Sequence, residues 1–291
     1  MLHSLLDAGI DVVAVLTRPD KRRGRGGSVD ASPVKKVALQ HGITVFDSSD
    51  DAMSWMQTRE MAGVTGVVVA YGRIIKDPLL SALPLVNLHF SELPRWRGAA
   101  PVERAILAGD KRTAASIMQI EEGLDTGAVY AMESADIHDG DDVTTLRERL
   151  ADLGARSLVT MLQNGFPAPR VQEGEPVHAD KITVDDLRID WDTSAVEIHR
   201  TVRLGEAFTS FRGQRFKIRR VDVENGEGTP GAAGEIVLVD KQGVTVAAGS
   251  GALRLVEVQP EGKKVMSGRD WANGAQPRVG EMFGSDYRAL T

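Results

Sequence analysis

The sequence predicts an α/β chain: a Rossmann-like, mostly parallel sheet followed by a small C-terminal β-barrel of the OB type. In the first half, short apolar runs alternate with helix-like stretches, the pattern that parallel βαβ units leave in a sequence. Beyond residue 180, brief β-type runs succeed one another between Gly turns, as antiparallel strands do. Between the two textures, Gly165, Pro167, Pro169, Gly174 and Pro176 interrupt every regular pattern, which reads as a linker. The expected organisation is a first domain over residues 1–164, a linker over 165–180 and a barrel over 181–291.

Each element has a local reason. Residues 12–16 (VVAVL) read as a strand; Ser32 offers an N-cap, Pro33 fits the first helical position, and Gly42 ends that helix. Residues 43–46, 67–70 (VVVA), 86–90 and 114–120 supply further strands, with a helix over 99–108 between the last two. Leu146, Leu150, Leu153, Leu158 and Leu162 share a long helical stretch that ends near Gly165. The second half holds a short helix around 194–202 and strands over 216–223, 234–239, 243–248 and 253–258. The Gly-rich segments 24–27 and 224–234 read as loops.

At 291 residues and 42% hydrophobic content the chain can bury a sizeable core. It has no run of 18 apolar residues, and its opening is broken by His3, Asp7 and Asp11, so neither a membrane span nor a signal peptide is expected. A cytoplasmic monomer is expected. With no cysteine, any chemistry falls to His, carboxylates and polar side chains. The net charge of −6 argues against a protein that coats nucleic acid non-specifically. Yet residues 18–36 hold seven basic side chains (Arg18, Lys21, Arg22, Arg23, Arg25, Lys35, Lys36) against Asp20 and Asp30, and Arg212, Arg215, Lys217, Arg219 and Arg220 fall together without an acid. Two such patches fit a polyanion gripped at a defined place, but a solvated loop and strand face would carry the same charges.

The informative stretch is 86–101, Val-Asn-Leu-His-Phe-Ser-Glu-Leu-Pro-Arg-Trp-Arg-Gly-Ala-Ala-Pro. Strand alternation projects Asn87 and His89 from one face, at the carboxyl end of a strand expected to be parallel, where open α/β sheets bind ligands. Asp125 stands in a second Gly-flanked loop, 121–127, that also follows a strand. An amide N–H donor, an imidazole and a carboxylate suit acyl transfer without a covalent intermediate: the amide steadies an oxyanion and the imidazole handles protons. A Pro-bounded strand with one His, or an Asp in a turn, is also ordinary structure.

Asn87-x-His89-x-Ser91-x-Leu93-Pro94 with residues 97–101 (RGAAP) and 123–127 (GLDTG) resembles the folate-dependent formyltransferase family, and within it the branch acting on initiator tRNA charged with methionine. Residues 69–72 (VAYG), 32–35 (SPVK), 189–191 (IDW) and 262–266 (GKKVM) carry the likeness over nearly the whole chain. The resemblance implies that Asn87, His89 and Asp125 are catalytic and that no metal takes part. It implies that the co-substrate 10-formyltetrahydrofolate meets Ala70, Tyr71, Gly72, Ser91, Leu93, Pro94, Ile120, Gly123 and Leu124. Trp96 and Arg97, with Ser91, would shape the loop, Arg97 having a further option of a phosphate or the folate glutamate.

The same resemblance implies that the basic loop at 18–27 enters the tRNA acceptor stem, so Arg18, Lys21, Arg22, Arg23 and Arg25 become RNA contacts, joined by Lys217 and Arg219 on one face of a barrel strand. The chain departs from the family in three places. It opens inside the first helix, so a central first strand is expected to be missing; Glu92 replaces a usual Leu; and residues 202–208 lack an expected Pro segment. Two rivals stay open: a formyltransferase for a small amine such as an amino sugar nucleotide or glycinamide ribonucleotide, and a non-catalytic tRNA-binding protein.

Overall fold

A computed structural model describes residues 1–23, 28–224 and 231–285. The first half runs α1 (Leu2–Asp7), β1 (Ala14–Leu16), β2 (Lys21–Arg23), β3 (Ser28–Asp30), α2 (Pro33–Gln40), β4 (Thr44–Phe46), α3 (Ser49–Gln57), β5 (Gly66–Val69), α4 (Leu79–Ala82), β6 (Leu85–His89), β7 (Arg97–Gly98), α5 (Pro101–Ala108), β8 (Arg112–Gln119), β9 (Val129–Asp136) and α6 (Val143–Asn164). The second half adds β10 (His178–Ala179), α7 (Ala195–Val202), β11 (Phe208–Phe211), β12 (Gln214–Glu224), β13 (Ile236–Asp240), β14 (Gly243–Ala247), β15 (Ala252–Pro260), β16 (Met266–Ser267) and α8 (Gly268–Ala275). Among the described residues no helix is long and apolar enough to cross a membrane.

The caps explain several boundaries. Ser32 accepts from the Lys35 N–H with Pro33 at the first turn, as the sequence predicts. Ser48 caps α3 and Ser267 caps α8 in the same way, two helices that the apolar periodicity does not announce. Ser194 and Glu197 form a reciprocal capping box on α7.

The strands expected as one sheet lie in two pieces. β1 pairs with β4 in parallel, and a separate sheet has the order β5-β6-β8-β9. β5 and β6 are parallel, but β8 runs antiparallel to β6, and β9, which follows β8 after the loop 120–128, runs antiparallel to β8. On β6 the alternation of side-chain direction separates two tasks. Leu88 turns to α6, where Gly154 leaves room: a Cβ there would come within 2.3 Å of Leu88 Cδ1. Asn87 and His89 therefore project from the opposite face.

By backbone proximity the chain divides into two compact units, and neither is contiguous in sequence. One comprises Met1–Pro101, Arg112–Asp136 and Arg147–Asp180; the other comprises Val102–Lys111, Ile137–Leu146 and the residues from Lys181 onward. Local bonds account for the exchanges. Arg104 of α5 pairs with Asp186, Val143 donates to the Arg203 carbonyl, and the Arg203 guanidinium binds the carbonyls of His138 and Asp141. The breaker-rich stretch after α6 lies along the first unit: Arg170 bridges Val129, and β10 pairs with β7 in parallel.

The second unit is a six-stranded antiparallel sheet with the path β11-β12-β15-β14-β13 and β16 beside β15. Met282 and Phe283 bridge both edges, Phe283 to Phe211 and Met282 to Glu235. Phe211, Phe216, Trp271 and Phe283 form the aromatic centre of its core, with ring centroids 4.7–6.2 Å apart. Trp191 joins them and satisfies its indole N–H on Thr209 Oγ1 at 3.0 Å.

Candidate active site

Asn87, His89 and Asp125 meet, although not by the route expected. β8 ends opposite the beginning of β6, with Gln119 beside Val86, so the loop after β8 leaves from the wrong end of the strand and must double back to bring Asp125 to Asn87 and His89. Asp125 adopts a left-handed backbone (φ 52°), as do Ala70, Trp96 and the glycines Gly72 and Gly98. Such conformations cost energy for residues with a Cβ and persist where the surroundings impose them, which is common at sites of function.

The contacts fix the groups' orientations. Asn87 Nδ2 lies 3.4 Å from Asp125 Oδ1; a carboxylate only accepts, so the amide's N–H side faces it. Asp125 Oδ2 accepts the Gly98 N–H at 2.9 Å and lies 3.6 Å from His89 Nδ1. The His89 ring is buried, at 5% exposure, and its Nε2 is 2.8 Å from the Trp96 carbonyl. A carbonyl cannot donate, so Nε2 carries the hydrogen there, and the looser contact at Nδ1 is the one open to exchange. The left-handed Trp96 turns that carbonyl inward while Arg95 lies over its ring at 4.4 Å.

One residue absent from the sequence-based candidates completes the arrangement. Gln172 Nε2 donates to the carbonyls of Asp125 and Gly127 at 2.9 and 2.8 Å, and its Oε1 accepts from Arg97 Nε and Nη2 at 3.0 and 2.8 Å. Arg97 is therefore engaged with Gln172 of the 165–180 stretch, and through it with the loop that carries Asp125. No sequence signal distinguishes Gln172, because the stretch around it reads as breaker-rich linker.

Two regions of the chain match family models, described as formyl transferase over residues 2–162 and formyl transferase, C-terminal domain, over residues 181–276. The chain belongs to the formyl transferase family. A methionyl-tRNA formyltransferase of Coxiella burnetii is 42% identical over 284 residues, covering 94% of this chain and 90% of that protein. One from Corynebacterium diphtheriae is 42% identical over 297 residues, covering 96% and 94%. Among solved structures, an N-formyltransferase from Helicobacter canadensis, in complex with folinic acid and dTDP-3-aminofucose, shares the fold at a TM-score of 0.61 and 16% identity, covering 89% of this chain and 94% of that one.

Within this formyl transferase, the residues expected at the folate fall into two sets. Ala70, Tyr71 and Gly72 form a turn directly after β5, whose last residue, Val69, pairs with Leu88. Gly123 and Leu124 are exposed in the loop that ends at Asp125, and Ile120 at its start donates to the Leu85 carbonyl. Ser91 and Leu93 are buried among protein atoms: Ser91 has no exposed surface and its carbonyl accepts from Ser116 Oγ at 2.6 Å, while Leu93 packs with Met118 and Val129. The Pro94 carbonyl accepts from Val177. These three brace the loop. Among the described residues no three His, Asp or Glu side chains gather to hold a metal ion.

The expected RNA contacts also divide. Lys21, Arg22 and Arg23 form β2, paired antiparallel with β3; Arg25 lies outside the described residues. Lys35 and Lys36 are paired with Asp20 and Asp30, the two acids of that basic stretch. Arg18 donates Nε and Nη2 to the Tyr71 and Gly72 carbonyls at 2.9 and 2.8 Å, tying the start of the basic segment to the turn expected at the folate. Lys217 and Arg219 do share one face of β12, as alternation requires, but both reach Glu206 at 2.5 and 2.6 Å, and Arg219 also binds Gln259. Lys217 and then Arg219 hold the Glu206 carboxyl below its ordinary pKa.

Proposed function

We propose that this enzyme transfers the formyl group of 10-formyltetrahydrofolate to the α-amine of initiator tRNA charged with methionine. The convergence of Asn87, His89 and Asp125 carries the reading, together with relatives named for that reaction at about 42% identity over most of their length. Folate fits the residues present. Arg18 occupies two carbonyls of the 70–72 turn, which leaves that turn its N–H edge and the Tyr71 ring to meet a pterin, and the exposed Gly123 and Leu124 border Asp125.

The bound folate supplies an activated formyl carbon. The second Asn87 N–H, the one not directed at Asp125, donates to the formyl oxygen as that oxygen gains negative charge. His89 accepts a proton from the attacking amine at Nδ1 and returns it toward the departing folate nitrogen, while the Trp96 carbonyl keeps the ring in plane. Asp125 stabilises the charged imidazole and orients both partners. Arg18, Lys21, Arg22, Arg23 and Arg25 serve the acceptor end of the RNA, with Arg18 doing so through the turn it ties, and Lys217 and Arg219 extend that surface if Glu206 releases them. A cytoplasmic location follows from this substrate. In sequence order the division that serves it is 1–164, 165–180 and 181–291, a reading supported by the two family matches over 2–162 and 181–276, while the compact units exchange 102–111 and 137–146 across it.

The test is to incubate the purified chain with 10-formyltetrahydrofolate and either charged initiator tRNA or free amines, including an amino sugar nucleotide and glycinamide ribonucleotide. Formyl transfer to the charged tRNA is expected. Transfer to a small amine alone, or tRNA binding without transfer, would replace this reading with one of its rivals.

A further inference from the structure

Four hydrogen bonds join at Gln172, and both ends of its amide are fully used. The oxygen accepts twice from the Arg97 guanidinium; the nitrogen spends both hydrogens on the carbonyls of Asp125 and Gly127. Arg97 precedes Gly98, whose N–H holds the Asp125 carboxylate. The contacts therefore close a ring: Gln172 grips Asp125 by its backbone, Gly98 grips it by its side chain, and Arg97 links the two grips. The ring surrounds a residue held at φ 52°, a conformation that a non-glycine residue keeps only when its neighbours impose it. The loop owes its approach to β6 to such restraints, because β8 directs it away from the site.

We propose that Gln172 is a positioning residue for formyl transfer: by holding the Asp125 and Gly127 carbonyls it sets the Asp125 carboxylate between Asn87 and His89. The inference rests on the proposed transfer reaction for its consequence in turnover, but its structural content is independent of the substrate. It assigns unequal roles to the two ends of one side chain. The nitrogen end holds the catalytic loop; the oxygen end holds Arg97.

The chemistry allows those ends to be separated. Gln172→Glu keeps the length and the acceptor for Arg97, but replaces the two donors with an oxygen that repels both carbonyls. Arg97→Met removes the opposite half and leaves the donors in place. Each variant and the unaltered chain are assayed for formyl transfer to charged initiator tRNA, with Asp125→Ala as the inactive reference, thermal unfolding as the folding control, and hydrogen exchange read over residues 121–128 and 85–89. For Gln172→Glu, kcat falls by roughly 10- to 100-fold, as misplacement of a reacting group by about 1 Å does. KM for tRNA stays within about twofold, and exchange quickens at 121–128 but not at 85–89. Arg97→Met has the smaller effect on both readouts.

Turnover in Gln172→Glu equal to that of the unaltered chain would overturn the proposal, as would a larger loss in Arg97→Met, which would make the pair a strut for the 165–180 segment. If the unaltered chain transfers no formyl group, the proposed reaction fails on its own, and the exchange data alone decide: unchanged exchange at 121–128 in Gln172→Glu then overturns the positioning role as well.

Discussion

Gly98 donates its backbone N–H to Asp125 Oδ2 at 2.9 Å, and the same oxygen is 3.6 Å from His89 Nδ1. Asp125 is thus held by a group that never titrates, and the imidazole meets an acceptor whose direction is already set. Gly98 is suited to the task because its φ of 124° is open to glycine, and because a Cβ there would come within 2.8 Å of the Ala179 carbonyl oxygen.

Gly98→Ala therefore attacks both the fold and the site. Overpacking against a backbone atom is expected to cost about 1–3 kcal/mol, and turnover should fall by more than the loss of folded protein explains. Chemical denaturation beside single-turnover rates separates the two effects; a variant that is destabilised yet fully active per folded molecule would show that the Gly98 contact is dispensable.

Asn87→Ala removes the donor assigned to the developing oxyanion. A loss of about 10²–10³-fold in kcat is expected, with tRNA affinity retained. His89→Ala should likewise abolish transfer without releasing the RNA. Rates at saturating folate and tRNA, set beside filter-binding affinities, check both, and unchanged turnover in the pair would remove the mechanism.

Arg22→Ala with Arg23→Ala tests the basic hairpin. Binding of tRNA should weaken, and the slope of log affinity against log salt should shallow by about 1 to 2, since each lost phosphate contact releases fewer counterions. A slope identical to that of the unaltered chain would move the RNA contact to another surface.

Arg104 offers a pH-dependent stability test within the second unit. Its guanidinium bonds both oxygens of Asp186 at 2.7 and 3.1 Å and holds that carboxyl below its ordinary range, at about 2. A depressed carboxyl stabilises the fold above its unfolded pKa and loses that contribution as pH falls through the folded value. Arg104→Ala should therefore cost about 1–2 kcal/mol near neutral pH, discounted for partial exposure, and the gap should narrow between about pH 4 and pH 2. Urea denaturation across that window measures it; a gap that does not change with pH would assign the cost to lost packing.

What the sequence determined by itself is what local rules control. Alternation along 86–90 placed Asn87 and His89 on one face, Ser32 and Pro33 set the start of α2, and the strings around the trio named the family. Such features depend on residues a few positions apart, where strand and helix periodicity act directly. The α3 and α8 helices carry a local signal too, in Ser48 and Ser267 ahead of acidic first turns, although neither shows it in apolar periodicity.

Only the tertiary structure decided the rest. That Asp125 reaches Asn87 depends on a partner 38 positions away and on a loop reversing over an antiparallel β8; that Gln172 holds it depends on one 47 positions away; and Arg18 finds Gly72 across 54. The charges of Lys217 and Arg219 likewise say nothing of Glu206 until β12 has folded against it. A hydrogen bond between distant residues carries no local period, since its geometry is set by how the strands pair and where each loop returns.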